Sequence, residues 1–417
     1  MASNFSSILL VAVITLLLFI WINTFFNKYL FIVILGFIVR LFLIFIQEQT
    51  HFFGDADIGD YLPYFKRFSQ AVSTDPLSYI EPHVPFYCIL YPGWIFNTFG
   101  ESGLWIIRTF NAALGVAAIA PLVWINQIIF GKNLSELQAA IVIFWPTWLR
   151  YNIEVGRSAP SVLVVLVGIS GLLAIISYPK ARNNLFVQVY TCLGIFFSCY
   201  LRIHYIAYFI PILSLAFLTQ VGKLKISPYI RPILYFISII LTLLITFSMV
   251  GIYQQLSQGN HSGMIFESSE SALGYLEMRD NEEGNSGYLE GVYPRTPVDW
   301  IWYLPIHCFY FMFSPMPWNV HTAFAAGSSL QALILFSLCF QALKKGWKLF
   351  KRNEGIKLLL LSLFFVALAF GSVTKNAGGA ERWRLPSTLM LITTTTSILD
   401  YSKQLVQARK SPAIPYI

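Results

Sequence analysis

The segment GDADIGDY sets Asp55, Asp57 and Asp60 within six positions of a chain whose charged residues are only 12% of the total. Like charges this close repel, so the cluster needs open water or a cationic partner. Asp55 and Asp57 form a DxD pair, whose spacing can hold a divalent cation such as Mg or Mn, or leave one carboxylate free to take a proton. A solvated acidic loop is the plainer reading of the same residues. Charged and titratable groups, most of them basic, stand elsewhere in the chain: Arg40, Arg108 beside Asn111, Glu154 and Arg157 in WLRYNIEVGRSAP, Arg202 and His204 in CYLRIHYIAY, and Lys375, Glu381, Arg382 and Arg384 in KNAGGAERWRLP. Arginine suits a phosphate, because its planar fork donates two parallel hydrogen bonds. An acidic loop beside several arginines therefore fits a substrate that carries a phosphate and a hydroxyl to be deprotonated. Taken singly, each arginine reads as a helix anchor, and His204 as a satisfied core histidine.

What must position these groups is helical and apolar. The 417 residues are 56% hydrophobic and 17% aromatic, and a bilayer crossing takes roughly 20 apolar residues of helix. Eleven runs approach that length, at 8–26, 29–47, 104–129, 137–150, 158–177, 185–200, 203–221, 232–252, 322–343, 356–373 and 385–400. The fold class expected is an all-α polytopic membrane bundle of about eleven transmembrane helices. Two proline-broken apolar stretches, 84–98 and 301–317, read as re-entrant or juxtamembrane helices in two outer loops. The first run has no basic stretch before it and no small-residue cleavage site, so it reads as a retained helix. Arg40 and Arg108 then sit near the outer ends of their helices, where a charge must snorkel or pair. Pairing with the aspartate loop is one solution, and anchoring at the head groups is the other.

Charge orients the helices. One set of connections holds 16 of the 28 basic residues against three acids, Glu136, Glu354 and Asp400. By the positive-inside rule that set is cytoplasmic, the C-terminus with it, and the aspartates face outward. The two long connections, 48–103 and 253–321, are then both external. The net charge of +8 is accounted for by membrane orientation and argues against a nucleic-acid partner. The five cysteines form no CxxC pair and no Cys/His group of metal-ligand spacing, so they read as packing residues.

The order of the pieces resembles the C-type glycosyltransferase superfamily, in its bacterial branch related to protein O-mannosyltransferases and aminoarabinose transferases. The likeness is carried by a helix with an arginine, GDADIGDY, PFYCILYPGWIFNTFG, the helix RTFNAALGVAAIAPLVWINQIIFG, FWPTWLRYN, LRIHYIAYFIPIL, FMFSPMPW and NAGGAERWRLPSTLML. It divides the chain into an extra N-terminal transmembrane helix (1–30), a catalytic transmembrane domain (31–402) and a cytoplasmic tail (403–417). The likeness implies an enzyme of the cell (inner or plasma) membrane that takes a sugar from a polyprenyl-phosphate carrier on the extracytoplasmic face, with a glycan, lipid or protein as acceptor. It implies a first-loop acid as general base, with Asp55 the best positional match, then Asp57, then Asp60 before Tyr61; the acid-to-tyrosine spacing is longer than the usual pattern. The donor phosphate is assigned to Arg382 and Arg384 first, then Arg157, Arg202 and His204, supported by Arg40, Arg108, Tyr61 and Glu154. Two other readings share the membrane setting: a polysaccharide polymerase or O-antigen-type ligase acting on lipid-linked glycans, and a lipid-linked oligosaccharide flippase or other transporter.

Overall fold

The computed structural model describes residues 27–53, 56–72, 84–223, 298–320, 322–372 and 377–410, with isolated positions at 13, 15, 16, 20, 288, 289, 292, 294, 296 and 374. Helix accounts for 87% of it, and no strand occurs among the described residues. In chain order the helices are α1 (Leu30–Thr50), α2 (Ala56–Ala71), α3 (Val84–Leu90), α4 (Pro92–Phe99), α5 (Gly103–Ala117), α6 (Ile119–Phe130), α7 (Glu136–Ile143), α8 (Pro146–Asn152), α9 (Ser158–Ser177), α10 (Leu185–Leu201) and α11 (Ile206–Lys223). After them come α12 (Trp300–Phe313), α13 (Ala323–Arg352), α14 (Glu354–Gly371) and α15 (Ala377–Lys410). Two compact units result: Met1–Leu122 with Ala139–Ser271, and Val123–Gln138 with Ala272–Ile417.

Among the described residues, five helical stretches are long and apolar enough to cross a bilayer: Asn27–Thr50, Pro92–Phe130, Ser158–Ser177, Ala325–Phe350 and Glu354–Gly371. The distribution of side chains agrees with a membrane setting. On α1 the exposed positions as far as Phe45 are Phe31, Leu35, Ile38, Phe42 and Phe45, with Glu48, Gln49 and Thr50 exposed at its end, whereas Gly36, Arg40 and Gln47 are among those turned inward. On α10, Leu185, Phe186, Val189, Leu193 and Phe196 face out, and Thr191, Gly194 and Ser198 face in. Apolar groups outside and polar or small groups inside is the order expected where lipid is the solvent, because backbone and side-chain polar groups must be satisfied within the protein. The chain is an all-α membrane protein.

Several expected runs take a different form. The run 137–150 is interrupted at Phe144–Trp145, where Pro146 opens α8 as its first residue; proline favours that position because the amide it lacks would be unsatisfied there anyway. The second half of 84–98 belongs with α5 and α6, since Pro92–Phe130 qualifies as one spanning stretch. The run 385–400 lies inside the longer α15. The runs 8–26 and 232–252 fall almost wholly outside the described residues, as does most of the 253–321 connection.

In the first unit, α9 and α10 pack through small residues. A Cβ on Gly194 would stand 2.7 Å from Gly168 Cα, and one on Gly171 would strike the Thr191 hydroxyl. Asn184 caps α10, its side chain accepting from the Phe186 amide at 2.9 Å, the usual service of an asparagine at a helix start. Arg40 is fully buried and donates to the carbonyls of Gly36 and Ile143, both at 2.9 Å, fastening α1 to α7. In the second unit, Asn353 caps α14 and also donates to the Ile129 carbonyl at 2.7 Å. Ser397 on α15 bridges two residues of the 123–138 segment, donating to Asn126 at 2.6 Å and accepting from Gln138 at 3.2 Å.

Candidate functional site

A polar site is built in the first unit on the turn 153–157 between α8 and α9. Helix α8 is seated on α5 at Gly115: the Trp148 indole donates to the Gly115 carbonyl at 3.1 Å, and the buried Asn152 amide lies where a Gly115 side chain would be. The turn itself is held by three side chains. Tyr87 on α3 donates to the carbonyls of Val155 at 2.9 Å and Gly156 at 3.2 Å. Asn111 on α5 donates to the carbonyls of Glu154 at 2.7 Å and Gly156 at 3.0 Å. Tyr91 closes the arrangement by donating to the Asn111 side-chain oxygen. Burial holds the phenols of Tyr87 and Tyr91 above the usual tyrosine range, so both stay protonated donors at neutral pH.

Arg157 leaves this turn at the head of α9. Its backbone amide points at the Tyr61 hydroxyl, 3.5 Å away, and its guanidinium donates to the Leu201 carbonyl at 2.8 Å. Arg202 comes directly after Leu201, as the extended residue between α10 and a short turn at Ile203–Tyr205. It is 6% exposed, and its guanidinium makes no hydrogen bond or ion pair among the described residues. It sits over the Tyr205 ring, 5.7 Å from the centroid. A buried guanidinium without a carboxylate is costly unless an anion joins it. His204 is buried beside it and meets Tyr205 edge-on at 5.0 Å. Cys88 feels the Arg157 charge, yet burial outweighs it and pushes the thiol up to about 12; it is an inert packing residue.

The acid-bearing helix comes to the same place. Tyr61 is buried on α2 and meets Tyr87 edge-on at 5.8 Å, so the helix that begins beside the aspartates is packed onto the arginine turn. Asp60 is exposed and directly precedes Tyr61. Asp57 stands in the first turn of α2 with its carboxylate outside the described residues, and Asp55 lies outside them altogether. Among the described residues no group of three or more His, Cys, Asp or Glu is placed to hold a metal ion.

The remaining expected residues divide by what they already bind. Arg40 is turned inward and meets no aspartate among the described residues; it donates to the Gly36 and Ile143 carbonyls. Arg108, 3% exposed, pairs with Glu48 at the end of α1, a partner that the sequence reading passed over because it lies just outside the aspartate cluster. Glu154 pairs with Arg150 at 3.6 Å. In the second unit Arg384 is buried and closes the end of α12, donating to the Phe311 carbonyl at 2.5 Å, the Ser314 hydroxyl at 3.2 Å and the Ser314 carbonyl, with Glu381 4.0 Å away. Its fork is committed to the protein backbone. Arg382, one residue from Glu381, is half-buried.

Sequence reasoning missed Tyr87, Tyr91 and Glu48. The tyrosines did carry a signal: they stand four residues apart in PFYCILY, and with Tyr87 on α3 and Tyr91 between α3 and α4 their rings meet at 5.6 Å. No family model matches the chain, and neither a curated protein nor a solved structure matches it.

Proposed function

We propose that this protein is a multi-pass membrane glycosyltransferase of about eleven spans that moves a sugar from a polyprenyl-phosphate donor to an acceptor hydroxyl on the extracytoplasmic face. The observation that carries the reading is Arg202, a buried guanidinium with no anionic partner among the described residues; it follows Leu201, whose carbonyl Arg157 holds, and the Arg157 amide faces Tyr61 on the helix that starts in the aspartate cluster. A monoanionic or dianionic phosphate is the natural complement of such a pair.

In this mechanism an aspartate of the first outer loop takes the proton of the acceptor hydroxyl as that oxygen attacks the anomeric carbon. The bond from that carbon to the carrier phosphate breaks with its electron pair, and the phosphate leaves into the Arg157–Arg202 site. Direct displacement inverts the anomeric centre. Charge stabilisation of a leaving group is worth on the order of 3 kcal/mol of barrier, about a hundredfold in rate. Of the two arginines assigned first to the donor, Arg384 already closes α12, so this mechanism places the leaving phosphate on Arg202 and Arg157, and Arg382 keeps its assignment. The DxD carboxylates that would hold a divalent cation lie outside the described residues, and no step is routed through one.

The test is transfer from radiolabelled polyprenyl-phosphate sugars by the purified full chain in detergent. Wild type transfers, and at least one of Asp55→Asn, Asp57→Asn and Asp60→Asn falls to background. Undiminished transfer by all three variants would remove the base from this account.

A further inference from the structure

The second unit carries a basic surface that the glycosyltransferase reading does not use. Helix α13 ends in ALKKGWKLFKR. Lys344, Lys345 and Lys348 are exposed and have no carboxylate partner among the described residues; Lys351 and Arg352 end the same helix. A spacing of four places Lys344 and Lys348 along one line of the helix surface. Immediately before and among them stand Phe340, Leu343 and Trp347, which are 60%, 51% and 51% exposed. An outward apolar stripe thus runs straight into a cluster of cations.

Other elements bring more charge to that end. At Gly346 α15 packs directly on α13, since a side chain there would run into Ile398, and Lys403 lies little more than a turn further along α15. The Asn353 bond to Ile129 and the Asn126 bond to the Lys132 carbonyl, 2.8 Å, bring the 129–133 turn there as well. The acids at this end are Glu136, Glu354 and Asp400, and Glu354 is taken by Lys357 at 2.7 Å. Counting Lys132, Lys357 and Lys403 with the five cations of α13 gives eight basic groups against three acids, a surplus of five.

We propose that this end of the second unit is a binding site for acidic phospholipid, with the α13 lysines on the phosphate-bearing head group and an acyl chain along Phe340, Leu343 and Trp347. The chemistry of the surface makes this choice. Basic residues directly beyond an apolar helix face attract anionic lipid, and the adjoining exposed apolar stripe suits an acyl chain, whereas a nucleic acid offers nothing to cover it. The proposal is independent of the transferase reading.

Native mass spectrometry of the full-length protein, released from micelles containing equal amounts of phosphatidylglycerol and phosphatidylcholine, reads the preference directly. Wild type should retain phosphatidylglycerol in excess, and the excess should shrink as salt rises. Each lysine near an anionic surface contributes about fivefold, so K344Q/K345Q/K348Q should lower the preference by at least about tenfold. K344R/K345R/K348R should keep it, which separates charge from any loss of folding. K180Q/R182Q, on the first unit, should leave it unchanged. Equal retention of the two lipids by wild type, or an undiminished preference in the glutamine variant, would overturn the proposal. So would displacement of the phosphatidylglycerol by a short duplex oligonucleotide, which would assign the surface to nucleic acid.

Discussion

Three buried arginines show how one residue type takes different roles. Arg384 is a donor to the backbone, Arg108 a partner of Glu48, and Arg202 a cation with no anionic partner among the described residues. Their substitutions should therefore separate. Arg384→Met strips donors from the carbonyls of Phe311 and Ser314, at a cost of about 1–3 kcal/mol for buried acceptors left unmade. Glu48→Gln leaves Arg108 buried without its charge partner. The penalty should be roughly 2 kcal/mol, below the 3–5 of a fully buried pair, because the Glu48 side chain is 37% exposed and water reaches it. Arg202→Met removes a guanidinium that satisfies no acceptor among the described residues, so its unfolding midpoint in detergent should equal or exceed that of wild type. A midpoint for Arg202→Met as low as that of Arg384→Met would mean that Arg202 holds the fold together. The tyrosines give a pH test. Tyr87 and Tyr91 are raised in the folded chain and ionise near about 10 when unfolded. Their contribution is complete below that pH and falls as pH rises above it, because only the unfolded chain releases the protons. Tyr87→Phe with Tyr91→Phe should flatten the alkaline limb of a stability–pH curve measured by thermal unfolding.

At the scale of elements, close helix contact depends on a few glycines. Gly194→Ala would drive a methyl into the backbone at Gly168, and Gly115→Ala would drive one into the Asn152 amide; each overpacking should cost about 1–3 kcal/mol. Gly327 on α13 has nothing within 4 Å of an added Cβ, so Gly327→Ala should stabilise by up to about 1 kcal/mol through helix propensity. Thermal unfolding of the three variants checks the order. Much of this level was legible in the sequence, because spanning helices announce themselves by length and apolarity: α1, α9, α13 and α14 each match an expected run, with α13 running on past its C-terminal end into the lysine cluster. The interruption at Phe144–Trp145 was not, since WPTW is apolar but for one threonine and hydropathy does not distinguish a proline that opens a helix from one that lies within it. Nor was the inward face of α1, which is chosen by Gly36, Arg40 and Gln47 against a background in which nearly every other residue is apolar.

At the scale of the molecule, charge counting was the more informative reading. It gathered Lys132, the α13 cluster and Lys403 into one set of connections, and the second unit brings those segments to one end. It could not distinguish a committed arginine from one with no anionic partner among the described residues, since that depends on which carbonyls and carboxylates the fold delivers: Arg384 and Arg202 look alike as letters. The proposed orientation makes its own prediction. In a cysteine-free background, a cysteine at Lys345 should be labelled by a membrane-impermeant maleimide only after the cells are opened, and a cysteine at Glu101 should be labelled in intact cells. The reverse pattern would place the aspartate segment on the cytoplasmic face. The most direct test of the central claim needs no transfer reaction. Equilibrium binding of a short-chain polyprenyl monophosphate to the full-length protein in detergent should weaken by at least about tenfold in Arg202→Met, with the fold retained, since a hydrogen bond to a charged group contributes about 1.5–3 kcal/mol. Wild-type affinity in that variant would contradict the account.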